Sequence, residues 1–385
     1  MSGVGWDAAP SVASWPGLPP LAGDRSADAC VVGLGASGLA AVEELVDRGL
    51  SVIGLDAGRV AAGAAGRNGG FLIGGPALFL HDALDRWGSC AVDLYRETLA
   101  ELDRLEATLR PGIVRRVGSI RLTGLPGEPR DEAEQADRDV EVKDCDAHAA
   151  ALRRHGIAVE AYAGPLGQGI YLPDDAAVNP AVRAMETAGR LEHRASLHEQ
   201  TWVERVRSGE VRTEHGAVRA GVVIVAVDGK LGRVVPRVAR RLRTARLQML
   251  ATEPVAPGRL PCPVYGRWGY DYAQQGPDGR LYVGGGRDRF VKAEWTGSVE
   301  PSPQVQRYLD GVAGRMAGAP VAVSHRWAAS VGFTADARPL CTEVAAGVIA
   351  VGGYNGTGNL VGPVAARAAV ALALDGTPPA PYFAP

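Results

Sequence analysis

The sequence predicts an α/β fold: a Rossmann-like domain assembled from both ends of the chain, with a second domain inserted in it. Three observations carry this prediction. Glycine fills 51 of 385 positions, well above the ~7% of an ordinary globular chain. The glycines cluster without a G-X-Y period, which excludes collagen. Two of the clusters, one near each end, lie between an apolar run with strand character and a run with helical spacing.

Residues 1–26 are rich in Pro, Gly, Ala and Ser and read as an extended arm pinned to the body by Trp6 and Trp15. ADACVVGLG then reads as a buried strand, SGLAAVEELVDRGL as a helix and SVIGLDA as a second strand, a β-α-β unit. The glycine-rich AAGAAGRNGGFLIGG follows at 61–75, then amphipathic helices across 77–110. The polar GEPRDEAEQADRD at 127–139 reads as an exposed excursion, and GQGIYLPDDAAVNP as the return to ordered structure. GVVIVAV is the most apolar strand and is expected at the centre of a sheet. YGRWGYDYAQ and GRLYVGGG are expected as strands joined by an Asp278-Gly279 turn. AGVIAVGGY closes the pattern as a buried strand before a small-residue helix. The expected division is an arm (1–26), a discontinuous first domain (27–80, 166–243 and 322–385) and an inserted second domain (81–165 and 244–321).

Composition narrows the function. With 41 basic and 43 acidic side chains the net charge is −2, which argues against nucleic acid as a partner. The five cysteines are scattered with no CxxC, the histidines are dispersed, and no metal site is expected. No apolar run reaches 18 residues, so no membrane span is expected. The first residues lack the basic and apolar regions of a signal peptide, which points to the cytoplasm.

Gly33-Leu34-Gly35-Ala36-Ser37-Gly38 is a GxGxxG between strand and helix, and Asp56 closes the next strand 23 residues after Gly33. That context is the dinucleotide fingerprint. Gly33 permits the tight turn, Gly35 lets a pyrophosphate approach the main chain, and Gly38 lets helix and strand pack closely. The helix N-terminus at Ala36 and Ser37 supplies free N–H groups. Asp56, followed by Ala57, would accept hydrogen bonds from a ribose. The fingerprint alone does not separate NAD from FAD. Arg67-Asn68-Gly69-Gly70 lies where a long ligand would cross, with Arg67 able to neutralise a phosphate; a solvated loop is the other reading. Gly352-Gly353-Tyr354-Asn355-Gly356-Thr357-Gly358 would bring a second helix N-terminus to the same ligand.

These motifs resemble the D-amino-acid-oxidase-like family of FAD-dependent oxidoreductases, in particular its gamma-glutamylputrescine oxidoreductase branch. The resemblance rests on LAGDRSADACVVGLGASG, GAAGRNGGFL, NPAVRAMETAG, VVIVAVDGKLGRVVP, LATEP, YDYAQQGPDGRLYVGGG, GFTADARPL and GGYNGTGN, nearly the whole chain except about 111–165. It implies a glutathione-reductase-type FAD fold with the inserted substrate domain built on a mixed β-sheet, and oxidation of a C–N bond in a small amine or amino-acid-like substrate. Hydride would pass to the flavin, water would hydrolyse the imine, and O2 would reoxidise the cofactor to give H2O2. It also implies FAD contacts at Gly33, Gly35, Gly38, Asp56, Arg67, Asn68 and Gly70, at Val203 near the adenine, and at Gly353, Gly356, Thr357 and Gly358. Some relatives attach the flavin through a cysteine before the motif held here by GFTADARPL; RWAASVGF has none, so noncovalent FAD is expected.

The pattern also departs from the family. "TPDGxPxIG" becomes Thr334–Thr342, with Ala337 and Thr342 at glycine positions; "GYSGHG" loses its histidine at Thr357; "YYR" becomes Tyr272-Ala273-Gln274. Because these positions are expected to face or flank the flavin, they point to an altered substrate, such as one in secondary metabolism. An amine dehydrogenase with a non-oxygen acceptor, or a degenerate flavin-binding protein, stays open. Candidate substrate-side residues are Tyr270 and Tyr272, two apart on a strand and so on one face; Arg287 and Arg326, as cations for a carboxylate; and Tyr354 and Asn355 in the glycine loop. Aromatic packing and solvated arginines are the competing readings.

Overall fold

A computed structural model describes residues 3–384. The first of two eight-stranded sheets runs, in order, Leu340–Ala345, Val348–Gly352, Gly216–Val225, Arg25–Val32, Val52–Leu55 and Ser196–His198. Along this path the pairs from Val348–Gly352 onward are parallel, and Glu210–Thr213 and Val203–Arg207 complete the eight strands as antiparallel additions beside Gly216–Val225. Parallel strands are covered on both faces and need apolar side chains at every position. In Arg25–Val32, Ala29 and Val31 enter one core while Cys30 and Val32 enter the other. GVVIVAV falls in the central strand, where Val223, Ile224 and Val225 have no exposure. On one face the helices Ala36–Asp47 and Gly358–Asp375 pack together through Leu39, Val42, Val361 and Ala365. Both ends of the chain therefore build one layer.

The second sheet runs Val323–Phe333, Arg243–Thr252, Leu281–Gly284, Asp271–Gln275, Val264–Gly266, Ser119–Leu122, Gly167–Leu172 and Glu160–Gly164. It is mixed: only Val264–Gly266 and Ser119–Leu122 pair in parallel. Gly167–Leu172 and Val323–Phe333 lie within segments expected in the first domain, yet they pair here. The helix Pro303–Ala317 covers one face through Val305, Leu309, Val312 and Met316. Along one register, Met249 lies opposite Gly284, Gly284 opposite Tyr272, Tyr272 opposite Tyr265, and Tyr265 beside Arg121. Residues paired in this way share a face, so one row of side chains crosses four strands to Arg121.

Two local expectations differ from the structure. The acidic stretch is no excursion: Glu132–Arg154 is a 23-residue helix, with Asp131 accepting from the Glu134 amide at 2.8 Å. Its inner face is partly polar. Glu134 pairs with Arg130 and Arg315, and Glu141 accepts from the Gly124 amide, so apolar periodicity does not mark it. YGRWGYDYAQ is two strands broken at Arg267–Gly269, where Arg267 and Trp268 take positive φ.

The arm is anchored as expected, although part of it is helical, at Gly5–Ala8 and Pro10–Ala13. Trp6 is 1% exposed and stacks on Tyr282 at 3.4 Å, and its Nε1 donates to the Asn68 carbonyl at 2.8 Å. Trp15 donates to Glu199 at 3.0 Å. Trp6→Ala should cost about 3–5 kcal/mol, read as a lowered urea midpoint.

Candidate active site

A cavity of about 1160 Å³ opens between the strand ends of the first sheet and the free face of the second. This exceeds the ~300–1,000 Å³ of an ordinary small-molecule site, as a long cofactor with a substrate requires. Val32, Leu55 and Ala226 line one side, and Met249, Tyr265 and Tyr272 the other.

The turn after the first strand is shaped for close approach. Gly33 has φ +96°, and a Cβ there would lie 2.6 Å from the Ala226 carbonyl; a Cβ on Gly38 would lie 1.7 Å from the Gly33 carbonyl. Gly38 thus packs helix on strand and lies off the cavity, while Gly33, Gly35, Ala36 and Ser37 line it. No side chain caps the helix that follows, so its first N–H groups are open to a ligand. Asp56 accepts from the Leu34 amide at 2.8 Å and the Gly58 amide at 2.9 Å. Burial pushes its pKa up. Each oxygen keeps a lone pair for a ribose hydroxyl. Ala57 and Val203 line the same end. The cradle, the open helix end and the carboxylate together fit the adenosine diphosphate part of FAD.

Arg67, Asn68 and Gly69 line the next stretch. Arg67 donates to the Ala328 carbonyl at 3.3 Å, and burial lowers its pKa. Asn68 is used within the protein: it donates to the Ala64 and Ala65 carbonyls and accepts from the Gly70 amide and from Asn359. It braces the loop. Gly70 lies off the cavity at φ +73°, where a Cβ would lie 2.2 Å from the Val178 carbonyl.

In the C-terminal loop, Tyr354, Asn355, Gly356, Thr357 and Gly358 line the cavity, and Gly353 does not. The Ser37 hydroxyl donates to Tyr354 at 2.7 Å, joining the two glycine loops. Asn355 accepts from the Thr334 amide and donates to the Ala337 and Gly353 carbonyls, so it too is spent on loop geometry. Ala337 keeps a left-handed φ of +65° without being glycine, at a cost of about 1 kcal/mol. Two other departures turn away from the site: Ala273 has no exposure and packs in the second sheet's covered core, and Thr342 lies in the strand Leu340–Ala345. Ala337→Gly should raise unfolding free energy by about 0.5–1 kcal/mol, seen as a higher urea midpoint.

Tyr272, in the strand Asp271–Gln275, lines the cavity with Tyr270 and Arg287, which lie just outside the strands, so Tyr270 is not the strand neighbour of Tyr272 that the spacing predicts. Tyr272 rests above Gly284 and Gly69, where a Cβ would meet its ring at 2.4 and 3.0 Å. Tyr265 meets Phe71 edge-on at 4.7 Å. Burial pushes both phenols up, so they stay neutral. Arg287 lies among the rings of Tyr270, Trp295 and Phe333. Arg326 does not reach the cavity: it pairs with Asp310 at 2.7 Å and donates to Gln306. This corrects its expected role, because its carboxylate partner is internal. Sequence reasoning missed Tyr265, Arg121 and Phe79, which line the cavity, and two positioning residues, Asp228 and Asn359. Alternation does not mark Tyr265: it lies an odd seven residues before Tyr272, with the break at Arg267–Gly269 between them.

Behind this wall, Asp175 is fully buried, accepting from Ser119 at 2.6 Å and the Gly74 amide at 2.9 Å. Burial raises its pKa from 3.8 to about 6. The folded state therefore holds this proton more tightly than the unfolded one. Between about pH 4 and 6 Asp175 draws stability down as pH rises, by on the order of 3 kcal/mol in all, and above that its effect is flat. Asp175→Asn should remove that slope, measured as urea midpoints of the two proteins across the interval.

A family model described as FAD dependent oxidoreductase, DAO, matches residues 28–372. A probable oxidoreductase, OrdL, from Rhizobium meliloti is 25% identical over 93% of this chain and 86% of its own. Gamma-glutamylputrescine oxidoreductase from Escherichia coli is 28% identical over 67% of this chain and 64% of its own. Among solved structures, glycine oxidase from Geobacillus kaustophilus superposes with a TM-score of 0.71 at 20% identity, covering 92% of this chain and 95% of that one. The match runs from the β-α-β unit to the last helix, and the chain belongs to the DAO family of FAD-dependent oxidoreductases.

Proposed function

We propose that this enzyme oxidises the C–N bond of a small amine or amino-acid-like substrate to an imine, which water hydrolyses, with O2 as the electron acceptor and H2O2 as its product. The observation that carries this reading is the aromatic wall of Tyr265 and Tyr272, which lines the same cavity as the Arg67–Gly69 loop, with Tyr272 packed against Gly69. FAD, when bound, supplies the two-electron oxidant. The chain's own residues have three tasks. Gly33–Ser37 and Asp56 hold the nucleotide end, and Arg67 offers a positive charge beside the loop. Tyr265 and Tyr272 keep the pocket apolar and dry, which favours a neutral amine, the form that can be oxidised. Their packing also limits the poses a substrate can take. No aspartate or glutamate beside the wall is needed as a base in this scheme.

Noncovalent attachment is part of the proposal. No cysteine or histidine is among the described residues that line the cavity, and Cys341 is buried against the Ala365 carbonyl. The altered loop at Ala337 and Thr357 supports a substrate unlike those of the relatives, in keeping with a tailoring step in secondary metabolism.

The purified protein should be yellow, and acid precipitation should leave the colour in the supernatant. Under nitrogen, a panel of primary, secondary and N-methyl amines and of D- and L-amino acids should contain members that bleach the flavin. Air should then restore the colour with formation of peroxide. Slow recovery in air with fast recovery on adding a quinone would replace the oxidase by a dehydrogenase. A flavin that no amine bleaches would remove the amine reading altogether.

A further inference from the structure

The loop Arg67–Gly70 is held from behind by two side chains that do not line the cavity, Gln274 and Arg115. In the strand Asp271–Gln275, Ala273 points into the covered core, so Tyr272 and Gln274 share the opposite face. Tyr272 packs on Gly69, and Gln274, 1% exposed, reaches the same residue. Its Nε2 donates to the Gly69 carbonyl and, at 3.2 Å, to the Val178 carbonyl. Its Oε1 accepts from Arg115 at 3.0 Å. Only this orientation of the amide works: the flipped one would set its oxygen against two carbonyls and its NH2 against a guanidinium. Arg115 therefore decides which way Gln274 points, and Gln274 decides where the Gly69 carbonyl points.

Among the described residues Arg115 has no carboxylate partner; its other side-chain bond is to the Gln275 carbonyl at 3.4 Å. Arg246 and Arg367, by contrast, are matched to Glu294 and to Glu44 and Glu101. Burial lowers the pKa of Arg115, yet a guanidinium stays charged in a protein. Its backbone is tied to the same loop: Arg115 and Ala177 exchange amide bonds at 2.9 Å, and Ala177 pairs with Phe71, which follows Gly70. Gln274 stands where the family pattern has arginine. Here the cation comes from another segment, one side chain further back, with Gln274 as the link.

What the pair holds is the backbone of the loop. The Asn68 carbonyl is turned to Trp6, so in a trans peptide the Gly69 N–H points the opposite way. Gly69 lines the cavity, and among the described residues its N–H has no acceptor. The Gly69 carbonyl is turned to Gln274 and the Gly70 amide to Asn68. A loop fixed in this way has less to lose in ordering when a cofactor binds. A cation without a counter-ion behind it favours the reduced cofactor, which carries more negative charge.

We propose that Arg115 and Gln274 are positioning residues for FAD: Arg115, acting through Gln274, fixes the Gly69–Gly70 backbone against the cofactor and raises its reduction potential. Neither side chain touches the cofactor or takes part in a covalent or redox step. The proposal does not depend on the amine reading, because its tests involve no substrate.

The test uses the full chain and its Arg115→Met, Arg115→Lys and Gln274→Met variants. FAD affinity is read from flavin fluorescence as FAD is added to apoprotein. The potential of bound FAD is read by reduction with dithionite beside a reference dye. Arg115→Met should shift the oxidised-to-reduced ratio about tenfold towards oxidised, a potential lower by about 30 mV for two electrons, and should weaken FAD binding. Arg115→Lys, which keeps the charge and a donor, should recover most of the potential. Gln274→Met should weaken FAD about tenfold, and adding Arg115→Met to it should cost little more affinity, because the link is already broken. A wild-type potential in Arg115→Met overturns the proposal, and a lowered urea midpoint beside it would mark Arg115 as packing alone. An equal fall in Arg115→Lys and Arg115→Met overturns it as well, since the charge would then be irrelevant. So do fully additive affinity losses in the double variant, which would deny the link. Should Gln274→Met hold no FAD, the two Arg115 variants decide alone.

Discussion

The site depends on one buried carboxylate. Asp228 follows the central strand of the first sheet and accepts from the Gly353 amide at 2.9 Å and the Gly332 amide at 3.0 Å. Gly353 follows the strand Val348–Gly352 of that sheet, and Gly332 lies in the long strand of the other. One side chain thus ties the two sheets and the C-terminal loop at a single point. Burial raises its pKa, with the backbone amides opposing that rise. An unsatisfied buried amide costs about 1–3 kcal/mol, so this junction tolerates little change. The loop that presents Tyr354–Gly358 to the cavity is fixed from behind, without help from a ligand.

Bracing of this kind separates two sorts of polar residue within the cavity wall. Asn68 and Asn355 face the space, yet their amides are satisfied by backbone groups and, for Asn68, by Asn359. They set loop shape. Arg121 and Arg287 face the same space with aromatic rings as their main company. The division of labour is legible only when donors and acceptors are counted atom by atom.

Local signals explain what the sequence disclosed. The turn at Gly33, the short helix–strand distance at Gly38 and Asp56 all depend on neighbours within one β-α-β unit, and their spacing carries them. The second glycine cluster announces itself likewise by the buried strand before it. The substrate wall has no such local signature. Ser119–Leu122 and Val264–Gly266 are only four and three residues long, too short for alternation to mark a face. The helix Glu132–Arg154 buries Glu134 and Glu141, which disguises it as a solvated stretch. Arg326 shows the opposite problem: its place beside Trp327 suggested a site, but alternate residues of a strand face opposite ways, and it meets Asp310 instead.

The arm at the other end of the fold bears on the order of assembly. Trp6 is synthesised well before its stacking partner Tyr282, which comes more than 270 residues later. The strand that completes the first sheet, Val348–Gly352, comes later still. Contacts so distant along the chain close slowly. The cofactor loop, whose Asn68 carbonyl is capped by Trp6, therefore reaches its final shape only after Tyr282 has been made. A nascent chain released early would carry the dinucleotide fingerprint without the pocket that gives it purpose.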